Sequence, residues 1–193
     1  MPGFDVFNTK DIDGRYWSFA QQQKGMSCGP TSVKITKELF HNQKIGEEVI
    51  RGLVGLQYGG LNTGVSLLQA AQASDKRWQG QGTMENMVLP AVKRQPLAIP
   101  QAHFVQGLSH LRLASRNHPA ILGFNWDGGG GHFVVCVGPT KQKPKLFVIL
   151  DPEGGLQYLS EDDAVGNVLC YKPSYAGSGK ITGKIDNVGY IVT

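Results

Sequence analysis

The chain has few cysteines and no long apolar run, and both shortages exclude whole classes of protein. Its 193 residues include three cysteines, none in a Cys-x-x-Cys pair. Disulfide scaffolds and structural zinc sites need paired or clustered cysteines, so neither is expected. No stretch approaches the roughly 20 apolar residues of a membrane-spanning helix. The first residues also lack a basic segment followed by an apolar run, which predicts a chain without a cleavable Sec-type signal.

The length and charge of the chain favour one globular domain. Hydrophobic residues make up 40% of the sequence, enough for one sizeable core, and no linker divides it, so residues 1–193 are predicted to form a single domain. The net charge of +4 comes from scattered lysines and arginines, and the densest cluster lies between Lys141 and Lys145. No aromatic residues alternate with these lysines, so the cluster predicts a solvated turn and no nucleic-acid partner.

The segment around Cys28 predicts a helix with a cysteine at its start. Pro30 suits the first turn of a helix, because a first-turn residue needs no intrahelical N–H partner. Unpaired N–H groups and the helix dipole at that position favour a thiolate. Gln22, six positions earlier, can supply a side-chain amide beside the thiol. One face of the predicted helix is marked by four residues at helical spacing: Cys28, Ser32, Ile35 and Leu39.

The second half of the chain changes from helical to strand-like patterning. Further helices are predicted at about 47–54, 65–73 and 105–116. Runs rich in branched and aromatic residues then predict strands at 120–126, 132–138, 145–150 and 167–171. Cys136 and Cys170 lie in these runs and are expected to be small core residues. The predicted fold class is α+β, with an N-terminal helical half, including Cys28 at a helix start, packed on a C-terminal antiparallel sheet.

The hairpin formed by the second and third predicted strands brings a histidine to an aspartate. A turn centred between Lys141 and Gln142 pairs Gly138 with Lys145, and the same register pairs His132 with Asp151. Directly opposed residues project from the same face of a sheet, so the two side chains become neighbours. A slip of one residue or a bulge would change this pairing. Both faces of the hairpin are apolar, which predicts a sheet covered on both sides.

Cysteine, histidine and aspartate in this order suit nucleophilic catalysis. Cys28 is the candidate nucleophile, His132 the candidate base, Asp151 the candidate orienting carboxylate and Gln22 the candidate oxyanion donor. Each has an ordinary alternative, since a histidine at a strand start is often structural and Asp-Pro is often a turn, but their joint occurrence favours catalysis. The other histidines lack a comparable setting and are expected to be structural or surface residues: His41, His103, His110 and His118.

Two further features near these residues have more than one interpretation. The glycine run before His132, Gly128–Gly131, is compatible with a substrate rim or with an ordinary turn. Trp126 and Tyr58 can line a cleft, but large aromatic residues are more often part of a core.

The same segments resemble the papain-like cysteine peptidases, and within them the bacteriocin-processing, double-glycine-leader peptidase domains and their stand-alone relatives. The resemblance extends from residue 21 to about residue 159. It implies a papain-like fold without a cofactor. It also implies that Cys28 is the nucleophile, His132 the general base and acid, and Asp151 the orienting residue. The implied oxyanion donor is Gln22, with Gln23 as the alternative. The matching motifs are Gln22 before Ser27-Cys28-Gly29-Pro30, Pro119-Ala120-Ile121-Leu122 before Gly131-His132-Phe133-Val134-Val135, and Asp151-Pro152.

The expected activity is hydrolysis of an amide bond in a peptide or protein substrate through a thioester intermediate. The same three residues can also deamidate glutamine or transfer an acyl group, as in bacterial toxins or host-directed effectors, because the group that attacks the thioester decides the product. A domain that only binds peptide is less consistent with the presence of both Cys28 and His132. We expect a cytoplasmic protein, or one secreted by a route without a cleavable Sec signal.

Overall fold

In a computed structural model of the protein, the described residues are mostly antiparallel strand, with one long helix among them. These residues are 5–23, 27–42, 46–47, 111–117, 119–165, 168–176 and 182–191. Short 3-10 turns lie at Glu161–Asp163 and Ser174–Ala176. The elements in chain order are β1 (Val6–Lys10), β2 (Tyr16–Ala20), α1 (Cys28–His41), β3 (Ala120–Trp126), β4 (Gly131–Pro139), β5 (Leu146–Asp151), β6 (Gly155–Ser160), β7 (Cys170–Tyr171) and β8 (Gly183–Ile191).

The strands form one large and one small antiparallel sheet. Six strands pair in the order β6-β5-β4-β3-β8-β7 and curl into a half-barrel, while β1 and β2 form a separate hairpin. Helix α1 packs against β4 and β2. The functional candidates therefore lie where α1 begins and where β4 and β5 have their neighbouring ends.

Both faces of the large sheet are buried, as predicted from its apolar strands. Val134 and Cys136 of β4 point into a core with Phe124 and Tyr171, whereas Val135 of β4 points into the opposite core. The alternation follows from the two-residue period of a strand. The second core joins β4 and β5 to β2 and α1, and its buried members are Trp17, Phe19, Ala20, Ile35, Val135, Val137, Val148 and Leu150.

The predicted fold class is wrong in its N-terminal half. That half begins with the β1–β2 hairpin, and α1 is the one long helix that the structure describes. The hairpin forms because Asp11 accepts hydrogen bonds from the backbone N–H groups of Asp13 and Arg15, and Gly14 adopts a φ of 78° in the connecting turn. Of the other predicted helices, residues 47 and 111–113 are helical and 114–116 are not, whereas 48–54, 65–73 and 105–110 lie outside the described residues.

The predicted strands of the second half are largely confirmed. Strand β3 occupies its predicted range, and β4 and β5 differ from theirs by one residue at each end. Of the strand predicted at 167–171, the structure has β7. Strands β6 and β8 were not predicted. Strand β8 pairs with β3 and so extends the sheet on the side away from β4.

The predicted β4–β5 register is wrong by two residues. Val135 pairs with Leu150, and Cys136 with Ile149, and this register places Asp151 opposite position 134. The pairing shifts between Cys136 and Pro139, where a bulge interrupts the ladder. Because side chains alternate with a period of two, the two-residue shift on this side of the bulge leaves His132 and Asp151 on the same face. His132 and Asp151 are therefore diagonal neighbours on one face instead of directly opposed.

The bulge in β4 depends on Gly138. Its φ is 96°, and a Cβ at this position would lie 2.1 Å from the carbonyl oxygen of Ala114. Gly138→Ala is therefore expected to lower the free energy of unfolding by about 2–5 kcal/mol, from backbone strain and steric overlap together. Chemical denaturation measures the loss. The matched control is Gly128→Ala, where a Cβ meets nothing within 4 Å, and equal stability of the two variants would contradict the prediction.

Candidate active site

The site is built around a buried histidine and aspartate at neighbouring strand ends. His132 is the second residue of β4, and Asp151 is the last residue of β5. The Nε2 atom of His132 lies 2.9 Å from Oδ1 of Asp151. The exposed fraction is 3% for His132 and 0% for Asp151. The diagonal position of the two residues in the sheet thus suffices for a direct side-chain hydrogen bond.

The Asp151 carboxylate both forms a turn and holds the histidine. Its Oδ1 atom accepts the backbone N–H groups of Glu153 at 2.8 Å and Gly154 at 3.1 Å, which closes the β5–β6 turn. Its Oδ2 atom accepts the hydroxyl groups of Tyr171 at 2.6 Å and Tyr175 at 3.0 Å. The turn interpretation of Asp-Pro and its interpretation as a partner of His132 are therefore compatible.

Cys28 lies at the start of α1 and interacts with the same histidine. Cys28 is 6% exposed, and interaction with its thiol contributes to the raised pKa of His132. Since Nε2 of His132 is engaged by Asp151, Nδ1 is the ring nitrogen left for the thiol. The first turn of α1 contains no acidic residue, and Ser27 makes no side-chain cap bond there. The thiol thus lies at the positive end of the helix dipole.

The electrostatics of the site favour a charged imidazole at His132. Burial opposes the charge of His132, but hydrogen bonds and charges from Asp151 and Cys28 outweigh it and raise the pKa of His132 to about 10. Burial alone would raise the pKa of Asp151. The hydrogen bond and charge of His132, followed by the hydroxyl of Tyr171, reverse this and lower that pKa. Each member of the pair thus stabilises the ionised form of the other.

Gln22 is anchored next to the turn that contains Asp151. Its backbone N–H donates to the carbonyl oxygen of Pro152 at 2.7 Å. Its side-chain oxygen is buried, without a hydrogen-bond partner in the part of the chain that the structure describes. Gln23, in contrast, is exposed, and its N–H donates to the Glu47 carboxylate at 2.9 Å. Burial of the Oε1 atom thus distinguishes Gln22 from the exposed Gln23.

Glu47 links the glutamine segment to the helix that contains the nucleophile. The Oε2 atom of this buried residue accepts both the N–H of Gln23 and, at 2.8 Å, the hydroxyl of Thr31 in α1. Glu47 lies at the start of a helix predicted from the sequence, and the sequence motifs indicate no role for it at the site. Nothing in its local sequence indicates this contact, because its two partners lie 24 and 16 positions away.

An aromatic side chain covers the histidine ring. Trp126 stacks on His132, with ring centroids 5.5 Å apart and planes inclined by 24°. The indole therefore covers one face of the imidazole and supports its charged form. The exposed run Gly128–Gly131 forms most of the tight turn between β3 and β4. In this turn the N–H of Trp126 donates to the carbonyl oxygen of Gly130. Four residues that the sequence assigns an expected role lie outside the described part of the chain: Tyr58, His103, His110 and His118.

The other two cysteines are free thiols in the core, as the sequence predicts. Cys136 and Cys170 are both buried. Burial raises the pKa of Cys136 to about 12, so its thiol stays protonated near neutral pH. The Cys170 thiol donates to the carbonyl oxygen of Val168 at 3.5 Å. Of the three cysteines, Cys28 is the one placed beside a potential base.

Within the part of the chain that the structure describes, no helix is long and apolar enough to cross a membrane. Within the same ranges, no group of three or more His, Cys, Asp or Glu side chains is arranged to hold a metal ion.

Comparisons with known proteins assign no family to the chain. No protein-family model matches the sequence, and no curated protein matches it significantly.

Proposed function

We propose that the protein is a cysteine peptidase that hydrolyses an amide bond in a peptide or protein substrate. The observation that supports this most is the convergence of three side chains that are far apart in the sequence. Cys28 interacts with His132, and Nε2 of His132 lies 2.9 Å from Oδ1 of Asp151. A thiol, a base and a carboxylate that orients the base are the parts that nucleophilic acyl transfer requires. The order of the motifs, which resembles that of papain-like cysteine peptidases, is a second support.

In the acylation half of the reaction, His132 takes the proton from the Cys28 thiol, and the thiolate attacks the carbonyl carbon of the substrate. The tetrahedral intermediate collapses when His132 returns the proton to the amide nitrogen, so that the C–N bond breaks and an amine leaves. The product is a thioester between Cys28 and the N-terminal part of the substrate. Asp151 stabilises the charged ring throughout and keeps Nε2 engaged.

In the deacylation half, water replaces the amine. His132 takes a proton from this water, the hydroxide attacks the thioester carbonyl, and the C–S bond breaks. The carboxylic acid product leaves, and Cys28 regains its proton from His132. The net reaction consumes one water for each amide bond and needs no other reactant.

The oxyanion of both tetrahedral intermediates requires hydrogen-bond donors beside Cys28. The backbone N–H of Cys28 is available as a first-turn group of α1. The Gln22 side-chain amide is the second donor, since its segment is fixed to Pro152 and its Oε1 atom is buried. In hydrolases of this general type, one such donor contributes about 3 kcal/mol to transition-state stabilisation.

The direct test is intact-mass analysis of the protein with a peptide library derived from a digested proteome. Peptidase activity is expected to give paired products whose masses sum to the substrate plus about 18 daltons, together with a transient adduct on Cys28. Cys28→Ala should abolish both, whereas Cys136→Ala, which removes a buried thiol outside the site, should retain both. Cleavage that persists in Cys28→Ala would overturn the proposal. A gain of about one dalton by an uncut peptide would assign a glutamine deamidase instead.

A further inference from the structure

Two tyrosines hold the side of Asp151 that faces away from His132. The Tyr171 hydroxyl donates to Oδ2 at 2.6 Å and the Tyr175 hydroxyl donates to the same atom at 3.0 Å. Tyr171 belongs to β7, at the far edge of the sheet order from β5, and Tyr175 to the following 3-10 turn. The curl of the sheet thus brings its last strand to the carboxylate, and no step of the proposed mechanism uses either phenol.

The two tyrosines occupy different environments. Tyr171 is fully buried, with its ring 5.0 Å from that of Phe124 between centroids. Tyr175 is 41% exposed, yet its hydroxyl is directed inward and also lies 3.4 Å from Nε2 of His132. Its ring lies on Gly154, where a Cβ would approach the ring to 2.1 Å. Tyr175 therefore covers the His132–Asp151 hydrogen bond from the solvent side, and glycine at position 154 permits this.

The physical role of the phenols follows from the burial of the carboxylate. A carboxylate without solvent becomes easier to protonate, and hydrogen bonds donated to its ionised form counteract this. With Oδ2 occupied by two hydroxyl groups, Oδ1 is the atom presented to His132. Both phenols remain protonated donors, because burial and the Asp151 charge raise the pKa of each well above its usual range.

We propose that Tyr171 and Tyr175 are positioning residues for the catalytic site: they fix Oδ2 of Asp151, so that Oδ1 faces His132 and the buried carboxylate stays ionised. This inference rests on the proposed function, because it assigns the two phenols to the same triad. The titratable groups that face Asp151 are His132 on β4, Tyr171 on β7, Tyr175 on the 3-10 turn and Glu153 on the β5–β6 turn. Cys28 acts on it through His132.

The test measures the rate of Cys28 alkylation by iodoacetamide as a function of pH, with each cysteine quantified by mass spectrometry. This readout needs no substrate. In the wild type, Cys28 should react faster than Cys136 and Cys170, with a plateau between an acid and an alkaline limb. In the double variant Tyr171→Phe/Tyr175→Phe, the acid limb should move up by about one pH unit or more, because Asp151 becomes easier to protonate. Alkylation on the acid side should fall about tenfold.

The matched control is Tyr158→Phe, which removes a phenol that hydrogen-bonds to the N–H of Ile12, away from the site. It should reproduce the wild-type profile. A second variant, Gly154→Ala, keeps both hydroxyl groups but displaces the Tyr175 ring, so its acid limb should shift in the same direction as that of Tyr175→Phe. Melting temperatures identify any variant that fails to fold. If Tyr171→Phe unfolds, Tyr175→Phe and Gly154→Ala still decide the outcome.

The two proposals fail in distinguishable ways. If Cys28 of the wild type reacts no faster than the two core cysteines, the proposed function is overturned. If Cys28 reacts fast but Tyr175→Phe and Gly154→Ala keep the profile of Tyr158→Phe, the positioning role is overturned while the proposed function stands. A shifted acid limb in these variants, with an unchanged control, supports both.

Discussion

Replacing Cys28 by alanine is expected to lower kcat/KM by about 10⁴-fold or more, to the background of the assay. The substitution removes the atom that forms the thioester, and no other described cysteine lies beside His132. The loss should be purely chemical, because a methyl group in place of a buried thiol leaves the core packed. Cys170→Ala, which also removes a buried thiol, should keep near-wild-type activity, and equal losses in the two variants would contradict the assignment.

His132→Ala should abolish turnover as well, but it also affects the fold. The substitution leaves the buried Asp151 carboxylate without its charged partner and removes the ring on which Trp126 stacks. Breaking a buried ion pair from one side costs about 3–5 kcal/mol. Activity of this variant is therefore interpretable only beside its unfolding curve. Folded but active His132→Ala would show that another group is the base.

Asp151→Asn is expected to retain partial activity, about 10²- to 10⁴-fold below wild type. Its amide oxygen can still accept the hydrogen bond at Oδ1, and its NH₂ group can donate to the phenol oxygens of Tyr171 and Tyr175, whose hydroxyl hydrogens rotate. The amide cannot stabilise the charge of His132, however. Asp151→Ala should be worse, because it also removes the acceptor for the two backbone N–H groups of the β5–β6 turn.

The pH dependence of kcat/KM distinguishes loss of the Asp151 charge from loss of its position beside His132. In the wild type, the pKa of His132 is raised to about 10, so the alkaline limb of kcat/KM should lie near that pH, where the imidazolium loses its proton. In Asp151→Asn, the charge that raises this pKa is gone, and the alkaline limb should move to lower pH. An unchanged limb would mean that Asp151 does not control the protonation of His132.

The contact between His132 and Asp151 was predictable from the sequence, but the register of β4 and β5 that produces it was not. The prediction paired the residues directly, and the structure shifts the strands by two positions and inserts a bulge at Gly138. The contact survives because the shift is even, and the face of each residue depends only on parity. An odd shift would have separated the side chains. The bulge depends on the close approach of Ala114, which is 24 positions away and leaves no local signal.

The N-terminal half shows the opposite outcome. The helix at Cys28 was predicted correctly, but extending helical structure over the whole half was wrong. A local signal for the hairpin exists in Asp13-Gly14, a turn-forming pair between the segments Val6–Lys10 and Tyr16–Ala20. The roles of Tyr171 and Tyr175 had no such signal, since their hydrogen bonds to Asp151 span 20 and 24 positions and depend on the curl of the sheet.

A large effect is also expected at Gln22. Gln22→Ala should lower kcat by about 100-fold or more with little change in KM, because a hydrogen bond to the oxyanion strengthens only as the tetrahedral charge develops. The substitution leaves the backbone N–H bond to Pro152 in place, so the segment should stay anchored. Steady-state kinetics with a cleaved peptide measures the split between kcat and KM.

The neighbouring glutamines are the matched controls for that experiment. Gln21→Ala retains its N–H bond to the carbonyl oxygen of Asp5, and Gln23→Ala retains its N–H bond to Glu47. All three variants thus lose one side-chain amide and keep one backbone anchor, so any difference between them reports on the side chain alone. The Gln21 and Gln23 variants should keep kcat within a few-fold of wild type. If Gln23→Ala shows the large loss instead, the donor is one residue further along the chain, and the buried Gln22 amide has a structural role.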